Sequence, residues 1–194
     1  MHACSRRNFL RIASTAAVLL VTSASYAQSK TSLEGIRLEQ AEIAQKGELF
    51  QLSGRFEIQL SGTLENALMR GVQLTFIQAF EAERLRDFWL SESLIDIVRP
   101  VRLSYNALLR QYYVTLSGVS STHEDLESAL LAVGDLRDWS VLNIKQMKRK
   151  SDFKAYVRMY LDVTQLPKPL QVNALASSAR WQLDSGWIER KFKF

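Results

Sequence analysis

Alternation of apolar and polar residues is the main pattern of the chain beyond residue 35. A strand with one solvent-exposed face is predicted where apolar residues recur at every second position, at Phe50, Leu52, Phe56, Ile58 and Leu60. An earlier strand follows the same rule with one phase slip near Gln40, which predicts a β-bulge, at Ile36, Leu38, Ala41 and Ile43. The intervening Lys46-Gly47-Glu48 is typical of a hairpin turn.

Seven further strands are indicated by the same alternation or by short apolar-rich extended runs. They are Val72–Phe76, Trp89–Val98, Val101–Ala107, Tyr112–Leu116, Val141–Met147, Phe153–Val163 and Trp187–Phe194. A turn over Asn106–Arg110 would let the two strands beside it face one core. We predict that Val141–Met147 and Phe153–Val163 form a hairpin.

Three short helices interrupt the strands. Thr63 is the predicted N-cap of the first helix, which Gly71 ends. The second is predicted to begin at a capping box opened by Thr122, with His123 as its first residue. The third runs over Leu170–Ser177. We therefore predict an α+β domain, mainly antiparallel β, as a sandwich-like or curved sheet of about eight or nine strands with two or three short helices.

The N-terminus carries the pattern of an export signal. A basic pair sits in the motif Ser5, Arg6, Arg7, Phe9 and Leu10, and a short apolar run leads to small residues at Ser25 and Ala27 that suit cleavage. The pattern predicts a twin-arginine signal over residues 1–27, with an ordinary secretory signal as the alternative. We expect a single periplasmic domain over residues 28–194; the alternative is inner-membrane anchoring by an uncleaved signal.

Composition removes several classes of function. Residues 28–194 hold 22 basic and 20 acidic residues, and this small positive excess does not indicate a nucleic-acid-binding protein. The single cysteine, Cys4, lies in the predicted signal, so thiol catalysis and cysteine-ligated metals are excluded. His123 alone supplies too few ligands for a metal site. We expect no cofactor, no metal and no catalytic residues, although a hydrolase that uses carboxylates alone stays open.

Two groups of residues are candidates for binding. The candidate partner or ligand surface comprises Arg102, Tyr105, Asn106, Arg110, Tyr112, Arg158, Asp162 and Lys168. In it, Arg158 and Asp162 are predicted to share a strand face and to form a charge cluster with Lys168 or Arg102, which could also be purely structural. The candidate basic turn comprises Lys145, Lys148, Arg149 and Lys150, at the tip of the predicted hairpin. It is either a solvated turn or a weak contact with anionic headgroups.

Aromatic side chains offer another possibility. They either line an apolar ligand pocket or fill the core and sheet faces of a β-rich domain. The set comprises Tyr105, Tyr112, Tyr113, Tyr156, Tyr160, Trp181 and Trp187.

Three blocks of the sequence resemble a family of exported bacterial proteins. They are residues 102–112, residues 156–172 with Leu166-Pro167-Lys168-Pro169, and the closing Trp181 and Trp187. The family is catalogued as domain of unknown function 4390. The resemblance implies a Gram-negative protein often encoded beside the membrane sensor kinase of a nitrogen-regulation pair, and it carries no established activity or catalytic residue.

From the residues and the resemblance together, we expect a non-enzymatic periplasmic accessory protein. Its partner would be an envelope protein such as a sensor kinase, and any membrane contact would be peripheral. The alternative is a small-molecule or lipid-binding periplasmic domain.

Overall fold

The computed structural model describes residues 35–86, 89–146, 153–176 and 178–192. In these ranges nine strands form: β1 (Gly35–Lys46), β2 (Leu49–Gln59), β3 (Leu74–Arg86), β4 (Trp89–Asn106), β5 (Gln111–Leu116), β6 (Val119–His123), β7 (Trp139–Asn143), β8 (Phe153–Leu161) and β9 (Ile188–Phe192). The helices are α1 (Gly62–Met69), α2 (Leu126–Val133), α3 (Lys168–Ala176) and the single turn α4 (Ser178–Trp181). The predicted mainly antiparallel α+β class is confirmed.

The strands are arranged in two sheets. One has the order β1-β2-β7 and the other the order β6-β5-β4-β3-β8-β9, and every neighbouring pair is antiparallel. The predicted bulge is present, because the register of β1 on β2 shifts between Leu38 and Gln40. Gly54 of β2 faces that bulge, where a Cβ atom would lie 2.4 Å from the Gln40 carbonyl oxygen.

The core lies between the two sheets. Every second residue of β8 is buried, from Phe153 to Leu161, and the large buried side chains of β3 include Phe76 and Phe80. Phe80 meets Trp139 of the smaller sheet edge to face, with ring centroids 6.4 Å apart. All buried core residues lie between Ile36 and Leu183, and residues 32–194 form one compact unit. This part of the chain therefore contains a complete core.

A short segment after α2 links the two sheets. Its Gly134 carbonyl accepts a hydrogen bond from Phe56 N at 2.9 Å, beside β2. The buried Gln78 of β3 donates from Nε2 to the Val133 carbonyl oxygen at 2.9 Å, while its Oε1 accepts from Arg99 Nε at 2.8 Å. Gln78 thus bonds its own sheet neighbour and the end of α2, and both ends of its amide are hydrogen-bonded, which is the condition for burying an amide without a large cost.

Two predicted helix starts are wrong. The N-cap of α1 is Ser61, whose Oγ accepts from Leu64 N, so Thr63 lies inside the helix. The N-cap of α2 is Asp125, which accepts from Ser128 N at 2.7 Å. Its predicted cap, Thr122, and the predicted first helical residue, His123, instead end strand β6. In both helices a nearby residue with an equally good capping side chain takes the position.

The predicted hairpin between Val141–Met147 and Phe153–Val163 is also wrong. Strand β7 pairs with β2 in the smaller sheet, and β8 pairs with β3 and β9 in the larger one. The physical reason is that alternation shows which side chains face inward but not which sheet a strand joins. The connection between the two strands therefore passes from one sheet to the other.

Candidate functional site

The outward side of the larger sheet carries a group of aromatic and charged side chains. Because β8 buries its odd-numbered residues, its even-numbered residues Tyr156, Arg158 and Tyr160 point away from the core and are half-buried. They lie beside Glu81, Ala79 and Ile77 of β3, which in turn lie beside Asp96, Val98 and Pro100 of β4. We call this surface, together with Asp184 and Trp187, the aromatic–arginine face.

Arg158 is the fixed centre of this face. Its Nε donates to Asp184 Oδ1 at 2.9 Å, and its Nη2 donates to Asp184 Oδ2 in the bidentate arrangement that favours arginine over lysine. The guanidinium carbon also lies 4.8 Å from the ring centroid of Tyr160 and 5.6 Å from that of Trp187. Cation–π contact and ion pairing therefore hold the same group from several sides.

The position of Asp184 depends on the chain that follows α4. This segment runs beside β8, where Leu161 N donates to the Leu183 carbonyl and Ser185 N donates to the Met159 carbonyl. Gly186, with φ of 66°, then turns the backbone and donates its N–H to Asp184 Oδ1 at 2.8 Å. The turn brings Trp187 onto Arg158, so two residues far from β8 in sequence complete the face.

Arg158 and Asp184 shift each other's pKa. The hydrogen bond from Arg158 holds the pKa of Asp184 below its ordinary value, and the same bond raises the pKa of Arg158. Both groups are therefore charged at neutral pH. Because the pair is partly exposed, solvent screening limits what it adds to stability, and its main effect is to fix the orientation of the guanidinium.

One end of the face is acidic. Glu81 lies directly opposite Asp96 across the β3–β4 pair. Partial burial raises the pKa of Glu81, and the neighbouring carboxylates of Asp96 and Glu83 raise it further, while Arg158 lowers it. Opposed like charges on neighbouring strands are unfavourable. This end of the face is therefore suited to a cationic group from a partner.

Two outward side chains on the β3 part of the face are small. On β3 the outward side chains Thr75 and Ala79 are small and buried between their neighbours, whereas Val98 on β4 is 59% exposed. Trp187, on the other side of Arg158, is 41% exposed. An aromatic ring and an aliphatic side chain thus flank an arginine on a sheet surface open to solvent.

The candidate surface predicted from sequence is divided between several places. Arg102 is exposed on the same outward side of the sheet, in register with Thr75. Tyr105 and Tyr112 lie on the inward side with ring centroids 4.7 Å apart, and Tyr112 Oη contacts Met69 Sδ of α1 at 3.4 Å. Asn106 ends β4 and Arg110 lies in the turn before β5, so neither belongs to the aromatic–arginine face.

The predicted charge cluster does not form. Arg158 pairs with Asp184 instead of Asp162. Asp162 accepts hydrogen bonds from the backbone N and the hydroxyl of Thr164, where it caps a 3₁₀ turn. Lys168 is the exposed first residue of α3. The prediction was wrong because Asp162 follows the end of β8 and turns toward its own next residues, as Asx caps commonly do.

Only one member of the candidate basic turn lies in the part of the chain that the structure describes. This is Lys145, whose Nζ is 3.1 Å from Glu48 Oε2 at an exposed position. Lys148, Arg149 and Lys150 lie outside the described residues, as do the signal motif Ser5, Arg6, Arg7, Phe9 and Leu10 and the cleavage residues Ser25 and Ala27.

A concavity lies between α1 and the C-terminal helices. It is a shallow cleft of about 370 Å³ lined by residues that include Asn66, Arg70, Leu170 and Trp181. Of the aromatic set predicted as a pocket lining, Trp181 alone lines this cleft. His123 lies elsewhere, on β6, with Nε2 2.9 Å from Ser121 Oγ. Within the described ranges, no three histidine, cysteine or acidic side chains gather as metal ligands do.

The sequence pattern pointed to Arg158 but not to Asp184. It included Trp187 in the aromatic set but did not predict its contact with Arg158. The signal available was local: Asp184-Ser185-Gly186 is a turn sequence beside a tryptophan. Its proximity to Arg158, 26 residues earlier in the chain, follows only from the pairing of the C-terminal segment with β8.

The chain matches a protein-family model. A family described as "Domain of unknown function (DUF4390)" matches residues 34–191. No curated protein and no solved structure matches the chain. Among the described residues, no helix combines the length and the apolar character needed to cross a membrane.

Proposed function

Because this chain belongs to the DUF4390 family, whose description names no activity, we propose its function from the outward surface of its larger sheet. The protein is a non-enzymatic accessory protein of the bacterial envelope that binds a protein partner through the aromatic–arginine face. The signal pattern in residues 5–27 supports export to the periplasm, where an envelope protein such as a sensor kinase would meet this face.

The observation that carries the proposal is the orientation of Arg158 between two aromatic rings by a bidentate carboxylate. Tyrosine, tryptophan and arginine are the residue types that dominate the energetics of protein interfaces. An arginine whose rotamer is already fixed loses less conformational entropy on binding than a free one. Neighbouring Val98 adds exposed apolar area to the same surface.

Photo-crosslinking in the periplasm tests this proposal. A photoreactive phenylalanine analogue at Val98 reports on the face, and the same analogue at Leu131 is the matched control. Both side chains are exposed and apolar, but Leu131 lies on α2, a helix that buries Ala129 and Val133 in the core. We expect a partner crosslinked from position 98 and none from position 131. Equal crosslinking from both positions, or none from position 98, contradicts the proposal.

Substitutions then separate the contributions of shape and charge. Trp187→Ala removes a ring that is 41% exposed and is expected to weaken crosslinking from position 98 while the domain stays folded by circular dichroism. Arg158→Lys keeps the charge but cannot keep the bidentate contact, so it should weaken crosslinking in a similar way. If both variants crosslink as well as the unaltered protein, the partner does not use this face.

A second candidate function rests on the cleft between α1 and the C-terminal helices. Its volume of about 370 Å³ is near the lower end for a small-molecule site. Apolar groups from Leu170 and Trp181 lie beside the polar side chains of Asn66 and Arg70, as in many such sites. Native mass spectrometry of protein purified from the periplasm tests it. A bound small molecule lost in Arg70→Ala favours this function, and clean protein argues against it.

A further inference from the structure

The turn between β4 and β5 presents two leucines to solvent. Leu108 is 95% exposed and Leu109 is 59% exposed. The turn has a defined shape, because Asn106 Oδ1 accepts hydrogen bonds from the backbone N of Leu108 at 3.0 Å and of Leu109 at 3.1 Å. Arg110 completes it with a positive φ of 53°. The leucines are thus held at the tip of an ordered hairpin, away from the core.

The same hairpin is cationic. From Ile97 to His123 the sequence contains no aspartate or glutamate, and it contains three arginines, of which Arg102 and Arg110 are exposed. Burial raises the pKa of Tyr112, and Tyr105 and the carboxylates of Glu65 and Asp125 add to that effect. Tyr112 is one residue pair from the turn, so these carboxylates act on the inward side of the hairpin, and Arg110 is the charge of the turn itself.

Aromatic and apolar side chains continue from the tip toward the body of the protein. Tyr105 and Tyr112 pair below the turn, and Tyr112 reaches the exposed end of α1 at Met69. Arg70, the C-cap of α1, is exposed beside that methionine. This end of the molecule therefore combines a protruding apolar tip, arginines behind it and tyrosines at its base.

We propose that the β4–β5 turn inserts into the interface of an anionic lipid bilayer. A bilayer offers hydrocarbon to the two leucines and phosphate groups to Arg110 in the turn and to Arg102 further down β4. A convex tip suits a soft bilayer, and two leucines with a few cations make a weak and reversible anchor. The inference is independent of the partner proposed above.

A position-specific probe tests the insertion. Residues 32–194 contain the complete core and no cysteine, so a single cysteine can carry an environment-sensitive NBD label. We place it at Leu108, or at Val119 as the control. Val119 is 74% exposed and follows the β5–β6 turn, at the opposite end of β5. Phosphatidylglycerol–phosphatidylethanolamine vesicles are the probe, with phosphatidylcholine vesicles as the uncharged comparison.

We expect the label at position 108 to shift to the blue and brighten with the anionic vesicles, and the label at position 119 to stay unchanged. An unchanged label at position 108 overturns the proposal. The same change at both positions overturns it too, because it indicates adsorption without insertion. A change at position 108 that depends on protein concentration and not on vesicles indicates a second copy of the chain in place of lipid.

Unlabelled variants measure the two contributions. The double substitution Leu108→Ser with Leu109→Ser should lower partitioning into anionic vesicles by roughly tenfold or more, whereas Val119→Ser should not change it. Arg102→Gln and Arg110→Gln should each lower it by about fivefold, and raising the salt concentration should remove that difference. All five substituted positions are exposed, so circular dichroism should report an unchanged fold. Equal partitioning of the leucine variant and the Val119 variant contradicts the insertion.

Discussion

Replacing Gly134 by alanine is the sharpest test of how the two sheets are joined. A Cβ atom at this position would lie 2.1 Å from the Phe56 carbonyl oxygen, whereas non-bonded contacts of this kind need about 3.5 Å. The segment would have to move by about 1 Å. That movement strains three hydrogen bonds: Phe56 N to the Gly134 carbonyl, Leu136 N to the Gly54 carbonyl, and Gln78 Nε2 to the Val133 carbonyl.

The expected change in the free energy of unfolding combines two destabilising effects and one stabilising effect. Overpacking against backbone costs about 1–3 kcal/mol. Weakening the strained hydrogen bonds adds about 1 kcal/mol for each one that is lost. Alanine restricts the unfolded chain and returns about 0.4–1 kcal/mol, because φ at this position is −77° and suits any residue. We therefore expect Gly134→Ala to lower the free energy of unfolding by about 2–4 kcal/mol.

Thermal and urea unfolding of residues 32–194 measure this effect. A loss of about 2–4 kcal/mol should lower the unfolding midpoint by roughly 5–15 °C for a domain of this size. Gly62→Ala is the matched control, because no atom lies within 4 Å of its added Cβ and the residue is helical. It should be neutral or stabilising by up to about 1 kcal/mol. If Gly134→Ala unfolds within about 0.5 kcal/mol of the control, the close approach to β2 is not what limits this position.

Three further predictions concern caps, buried polar groups and pH. Ser61→Ala removes both hydrogen bonds of a buried hydroxyl and should cost about 1–3 kcal/mol in urea unfolding, whereas Thr63→Ala should cost well under 1 kcal/mol. Gln78→Leu leaves Arg99 Nε without its acceptor and should cost about 2–4 kcal/mol; the double variant with Arg99→Leu should cost less than the sum of the single variants. Because its raised pKa makes the charged form of Glu81 unfavourable in the folded state, Glu81→Gln should raise the melting midpoint at pH 7, and this gain should be lost as the pH falls from the raised pKa of Glu81 to the ordinary glutamate pKa, below which both the folded and the unfolded state are protonated.

Most strand positions and the fold class followed from local pattern, because a half-buried strand must alternate. Strand β6 was missed because it is exposed and does not alternate, and the two strands predicted over residues 89–107 are the single strand β4. The bulge near Gln40 was readable for the same reason, since one extra residue shifts the phase. The caps of α1 and α2 were misplaced by two and three residues, because Ser61 and Asp125 satisfy the same rule as the predicted Thr63 and Thr122. Local sequence does not rank neighbouring candidates of equal capping quality.

Two features could not be predicted, because they depend on pairing between segments far apart in the sequence. These are the sheet that each strand joins and the contacts at the centre of the candidate site. The alternation of β8 predicts that Arg158 points outward, but its partner Asp184 arrives through a segment that pairs with the far side of the same strand. Likewise β7 carries an ordinary strand pattern, and its place beside β2 is fixed by the segment around Gly134. Such contacts come from tertiary packing, which periodicity in a single sequence does not encode.

The position of β3 also bears on the order in which the domain assembles. Strand β3 pairs at one edge with β4, which follows it directly in the chain. Its other edge pairs with β8, which lies about 70 residues further along. Until residues 153–161 have been synthesised, that edge exposes unpaired backbone beside large apolar side chains such as Phe76 and Phe80. Pairings of such long sequence separation form slowly. A nascent or truncated chain that lacks β8 is therefore aggregation-prone, and it would depend on chaperones until its last quarter emerges.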